Sequence, residues 1–252
     1  MLYTIYTDKG SVKTVNQDSA LFKMAATEQG GIIFAAVCDG MGGLTNGEVA
    51  SSEVARAFSR WFSDDLPVLA TKGLTAKDLK TELNRVIIEQ DDMICGYSRQ
   101  FGDCGTTLSG LMLCGGRYLT VNVGDSRIYR ISGDMITQLT HDQSVVQKML
   151  DNGEIMDEEA KTHRMRNVLL QCIGVEGDVA PEYTEGICME NDVFVLCTDG
   201  FRHMLSTEEI RDFFLPERME SVDAMRHAAH LAVEKNKNRG EQDNITVVVI
   251  RV

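Results

Sequence analysis

Four apolar runs in this chain each meet an aspartate at one end. IIFAAVC leads into Asp39, YLTVNVG into Asp125 and VFVLCT into Asp199, while ITVVVI begins just after Asp243-Asn244. A short apolar run bounded by turn residues is most simply a buried strand, so four carboxylates are expected at strand ends, where a packed scaffold can aim them at one another. Carboxylates held together repel, and burial raises the penalty further. A hard, oxygen-preferring cation such as Mg²⁺ or Mn²⁺ relieves that repulsion, so the pattern reads as a metal enzyme. Any single Asp-Gly pair, Asp39-Gly40 or Asp199-Gly200, is by itself only a common turn dipeptide.

The remaining patterns alternate in blocks. Residues 2 to 38 read as strands, with Gly30-Gly31 turning into the strongly apolar third. Thr45 to Glu48 offers a capping-box start for a helix to about residue 63, with Pro67 following its stop. A second helix runs from about Thr75 to Tyr97, with Leu79, Leu83, Val86, Ile87 and Ile94 on one side. From Gly105 to Gln138 the apolar runs are separated by Gly-Gly and Gly-Asp pairs and read as a meander. Strands near 181 to 198, helices near 207 to 214 and 221 to 238, and a closing strand complete the chain. Strands and helices in separate blocks indicate α+β, with two sheets face to face and helix pairs outside. His227 and His230 on the last helix read as helix-surface residues rather than ligands, because every other candidate is an oxygen donor.

Composition narrows the function. The net charge of −13 opposes a nucleic-acid partner, which needs Lys and Arg to displace counterions. Seven cysteines without a CxxC pair support neither a disulfide framework nor a zinc ribbon. No apolar run approaches the roughly 18 residues that suggest a membrane span, so the protein is expected to be cytoplasmic, with no membrane partner. Only three prolines occur and no linker interrupts the pattern, which predicts a single domain over 1–252.

The ordered set GSVKTVNQDS (10 to 19), VCDGMGG (37 to 43), GTTLSG (105 to 110), VNVGDSRIYR (121 to 130), LCTDGF (196 to 201) and DNITVVV (243 to 249) resembles the metal-dependent protein phosphatases of type 2C, in their bacterial form. The resemblance runs from about residue 5 to the last strand. It implies a four-layer αββα sandwich and a serine/threonine phosphatase using two to three Mn²⁺ or Mg²⁺ ions. Carried over by position, it implies that Asp39 bridges two ions and that Asp199 and Asp243 complete the first site. The second site would use the Gly40 carbonyl, with Asp18 binding through water. Asp125 would hold a third, weaker ion together with Asp199, and Asn244 would steady the Asp243 loop. Attack on phosphorus would come from the water or hydroxide bridging the ions, with no protein nucleophile.

Two positions depart from the family pattern. Lys13 stands where a phosphate-binding arginine is usual, which keeps a charge and loses the bidentate fork. Met41 stands where eukaryotic members carry a histidine that protonates the leaving group, and no replacement is legible. Residues 141 to 180 fill the place of a flap, in which Arg164 and Arg166 meet an acidic or phosphorylated substrate segment, face solvent or form core ion pairs. The partners implied are phosphorylated proteins, among them a serine/threonine kinase and its targets, and the chain is expected to be a monomer. The competing readings are a two-metal phosphodiesterase and a non-catalytic pseudophosphatase; the first lacks a basic groove and the second would show lost ligands.

Overall fold

Continuous apolar runs become strands buried on both faces. The computed structural model describes residues 1–27, 30–42, 46–71, 73 and 75–252. Its strands are β1 (Leu2–Asp8), β2 (Asp18–Thr27), β3 (Gly30–Gly42), β4 (Cys104–Thr106), β5 (Leu108–Cys114), β6 (Arg117–Val123), β7 (Arg127–Ser132), β8 (Met135–Gln138), β9 (Glu182–Ile187), β10 (Val193–Cys197) and β11 (Ile245–Arg251). One sheet has the order β1-β11-β10-β7-β8 and the other β2-β3-β5-β6-β9, with β4 paired to β3. Every pairing is antiparallel.

The helices are α1 (Gly47–Arg60), α2 (Leu66–Ala70), α3 (Ala76–Phe101), α4 (Val145–Asp151), α5 (Asp157–Thr162), α6 (Asp199–Arg202), α7 (Thr207–Phe213) and α8 (Val222–Asn238). Side chains alternate across a strand, so β3 sends Ile33, Ala35 and Val37 into the layer between the sheets and Phe34, Ala36 and Cys38 toward α1 and α3. In the same way β11 divides Val248 and Ile250 from Ile245, Val247 and Val249, which pack under α7 and α8 with Phe201, Phe214 and Met225. Three apolar layers therefore join four structural layers, the αββα sandwich that the block pattern predicts. Burying each large side chain contributes about 1.5–3 kcal/mol.

Several local expectations change. The predicted meander is divided: β5 and β6 lie in one sheet and β7 and β8 in the other, so the chain changes sheets at Gly124-Asp125-Ser126. Pro67 does not follow a helix stop. It lies in the first turn of α2, where its missing N–H is harmless, and the turn before it widens into a π-helix over Trp61–Asp65. Helix α1 starts at Asn46 with φ 95° and no side-chain cap, while Thr45, the expected capping residue, lies outside the described residues. Helix α3 begins with a capping box that the sequence reading did not single out, Thr75 paired reciprocally with Asp78. Among the described residues no helix is long and apolar enough to cross a membrane.

Candidate metal centre

The strand ends carrying aspartate meet at one edge of the sandwich. Asp18 opens β2 directly opposite Asp39 near the end of β3. Asp199 follows β10, Asp243 precedes β11, and β10 and β11 are neighbours in the second sheet. The two sheets thus contribute two carboxylates each, and the sheet change at Asp125 adds a fifth. The Asp-Gly pairs are not hairpin turns. Gly40 lies inside β3, where a Cβ would come within 2.3 Å of the Gly47 carbonyl and 2.4 Å of that of Gln17. Gly200 lies in the first turn of α6, where a Cβ would come within 2.1 Å of the Asn244 carbonyl. Close backbone approach, rather than positive φ, requires glycine at both.

The flagged motifs hold these carboxylates in place. Thr107 of GTTLSG donates its backbone N–H to the Asp39 carbonyl at 2.9 Å, its hydroxyl accepts the Asp39 N–H at 2.9 Å, and the Thr106 hydroxyl donates to the same carbonyl at 3.0 Å. Asn244 accepts from the Gln17 N–H at 2.9 Å and donates to the carbonyls of Lys9 and Val15 at 2.9 and 3.0 Å. It therefore ties the Lys13 loop to the Asp243 turn, and its own N–H donates to Asp243 at 2.8 Å. Thr198 donates to Asp18 at 3.0 Å across the two sheets.

Electrostatics mark the cluster as short of positive charge. Burial, then the charges of Asp199, Asp18 and Asp125, raise the Asp39 carboxyl well above the usual carboxylate range. Burial would raise Asp199 too, but His203, Arg202 and a hydrogen bond from Asp39 hold it below that range. Burial pushes Asp18 up to about 7 against the hydroxyls of Thr246 and Thr198. One buried oxygen each of Asp18 and Asp199 has no hydrogen-bond partner.

Among the described residues no three His, Cys, Asp or Glu side chains are set up to cage an ion by themselves. A site completed by carbonyl oxygen and water fits the same residues, since Mg²⁺ keeps several waters and uses one or two carboxylates. The unpartnered carboxylate oxygens are the donors such an ion needs. Lys13 neutralises a neighbouring carboxylate instead, with its Nζ 2.7 Å from Asp243 Oδ1. Partial burial opposes that charge, yet Asp243, Asp39 and Asp199 together hold the Lys13 pKa above its ordinary value.

Other residues stand apart. His230 bonds Tyr6 behind the second sheet and His227 is exposed on α8. Arg164 and Arg166 are exposed in the 141–180 segment, whose base is pinned by bridges between Ser144 and Leu169 and between Thr106 and Ile173. The apolar strand run leaves Cys38 and Cys197 fully buried; burial raises the Cys38 thiol strongly and pushes Cys197 up to about 12.

Sequence reasoning missed Arg202, His203 and Glu241. His203 lies 3.4 Å from both Asp199 and Glu241, and Glu241 accepts the backbone N–H groups of Gln242 and Asp243 at 2.8 and 2.9 Å. A helical turn beginning at Asp199 was the available signal, because it brings position i+4 back over the aspartate.

Known proteins are similar to this chain in sequence and in fold. The family model described as Protein phosphatase 2C matches residues 8–234. The serine/threonine phosphatase stp of Listeria innocua is 32% identical over 97% of this chain and 93% of its own length. A crystal structure of the Mycobacterium tuberculosis serine/threonine phosphatase PstP/Ppp superposes with TM-score 0.80 at 32% identity, over 98% of this chain and 96% of that one. The catalytic domain of PstP in complex with two manganese ions gives TM-score 0.77 at 29% identity, over 98% and 96%. With a family model matching most of the chain and a relative this similar over nearly its whole length, the chain belongs to the protein phosphatase 2C family.

Proposed function

We propose that this member of the family, a metal-dependent protein serine/threonine phosphatase, hydrolyses phosphoserine and phosphothreonine with two ions, Mn²⁺ or Mg²⁺. Asp39 would contact both, Asp199 and Asp243 would complete one site, and the Gly40 carbonyl with Asp18 through water would serve the other. The observation that carries this reading is the convergence of four strand-end carboxylates, two of which keep a buried oxygen without a partner. When bound, such ions polarise the phosphoryl oxygens and bring the pKa of water toward neutral.

The chain's own residues do the rest. Asn244 and Glu241 fix the Asp243 turn, and the threonines of β4 and the residue after it fix Asp39. Lys13, 39% exposed at the rim, offers a point charge to a phosphate dianion. No side chain is needed as nucleophile. The net charge of −13 disfavours nucleic-acid diesters, and the serine/threonine phosphatase relatives support phosphoproteins, including a serine/threonine kinase and its targets, as substrates. Residues 1–252 would act as one catalytic domain, with 141–180 as a flap beside the site. Seven free cysteines suit the reducing cytoplasm.

Turnover of phosphoserine, phosphothreonine and phosphotyrosine peptides with Mn²⁺, Mg²⁺ or chelator tests the reading. Phosphate release from the first two, abolished by chelator and reduced on the order of a thousandfold or more by Asp39→Asn, is expected. Hydrolysis of a bis-ester but not of the peptides, or full activity of Asp39→Asn in excess chelator, refutes it.

A further inference from the structure

Asp125 stands at the sheet change, and the contacts a cation would make there are made by the protein itself. Arg202 Nη2 donates to the Asp125 carbonyl at 2.9 Å and to its Oδ2 at 3.1 Å, and lies 3.2 Å from Asp142 Oδ2. Asp142 in turn accepts a bidentate pair from Arg127 at 2.7 and 2.8 Å. The side chains are 13% exposed for Arg202, 8% for Asp125, 6% for Asp142 and 22% for Arg127. Two carboxylates and two guanidiniums therefore balance in one corner.

The Asp39 cluster differs at its centre. Asp18 and Asp199 each keep a buried oxygen without a partner, and among the described residues no arginine hydrogen-bonds to either or to Asp39. Arg202 also keeps an unpartnered buried Nε, so charge rather than a full set of hydrogen bonds accounts for its position. It ends α6, three residues after Asp199, so the chain tethers it where it stands. A guanidinium cannot give way by losing its proton, and a divalent ion placed on Asp125 would face that fixed charge.

We propose that Arg202 is a built-in cation that occupies Asp125 and excludes a divalent ion from it, leaving metal to the Asp39 cluster alone. The proposal rests on reading that cluster as the metal centre. It replaces the third, weaker ion at Asp125 that the family resemblance implies, and it makes Asp125 a residue that positions Arg202.

Mn²⁺ bound at saturation, counted by equilibrium dialysis and metal analysis, tests it without recourse to activity. Wild type and Asp125→Asn should bind the same number of equivalents. Arg202→Met should bind one more, Arg202→Met/Asp125→Asn should lose it again, and Arg202→Lys, which keeps the charge, should match wild type. Loss of an equivalent from wild type on Asp125→Asn overturns the proposal, as does a folded Arg202→Met that gains none. Should Arg202→Met not fold, the comparison of wild type with Asp125→Asn still decides. Phosphopeptide turnover by the same wild-type sample separates the two readings: a phosphatase with an Asp125-dependent equivalent refutes the role of Arg202 alone, whereas a chain with neither turnover nor bound Mn²⁺ refutes both.

Discussion

Lys13 faces two demands at once. It is the cation offered to substrate phosphate, and it pairs with Asp243, a proposed metal ligand, at 2.7 Å. Its partial exposure makes the pair weak, on the order of 1 kcal/mol or less. Lys13→Ala should therefore raise KM severalfold with a smaller loss in kcat, while lowering the Mn²⁺ concentration for half-maximal rate. Lys13→Arg should keep or improve KM through its planar fork. Kinetics unchanged in both would make Lys13 a surface residue only. The carboxylates themselves predict a pH effect. Asp18 at about 7 and Asp39 above the usual range hold protons in the folded metal-free protein that the unfolded chain releases near pH 4. Where the folded state binds more protons, stability falls as pH rises, so these groups destabilise the metal-free protein progressively between about pH 4 and 7. Bound metal opposes that loss. Thermal melts should show a larger rise in Tm on adding Mn²⁺ at pH 8 than at pH 5, and an equal or larger rise at pH 5 would contradict the assignment.

At the scale of elements, two glycines matter because of what backs onto them. Gly40→Ala would press a methyl group against the backbone carbonyls of Gly47 and Gln17, neither of which can swing aside. A loss of about 1–3 kcal/mol in denaturant unfolding, with activity falling further than stability, is expected; wild-type stability would show that β3 can move away from α1. The same strands show what was legible beforehand. Asp39, Asp199 and Asp243 could be found because each closes or precedes a run apolar enough to be buried on both faces, and the αββα layering followed from strands and helices occurring in blocks. The sheet change at Asp125 could not, since Gly-Asp between two strands has the same composition as a hairpin turn. Arg202 and His203 are reachable only by extending a helical turn from Asp199, because α6 has four residues, too few for periodicity to register. Pro67 marks a helix end in the sequence because a proline's missing donor stops most helices, yet the chain continues through a π-helix into α2.

Across the whole molecule, the sandwich brings acidic strand ends from two sheets to one edge while keeping the two neighbouring thiols buried in strands. Cys38 and Cys197 are the thiols nearest in sequence to the ligands, each one or two residues before an aspartate, yet both are fully buried in strands and held protonated. The double replacement Cys38→Ala/Cys197→Ala should cost about 1–3 kcal/mol of stability and leave Mn²⁺-dependent turnover of the folded variant within a few-fold of wild type. A folded but inactive variant would implicate a thiol. In the proposed reaction water attacks phosphorus directly and no protein atom is ever bonded to it. The stereochemical course at phosphorus tests this most directly, using a phosphoserine peptide whose phosphoryl group is made chiral with oxygen isotopes. A single in-line displacement predicts inversion of configuration in the released phosphate, whereas retention would require two displacements through a phosphorylated enzyme and would contradict the account.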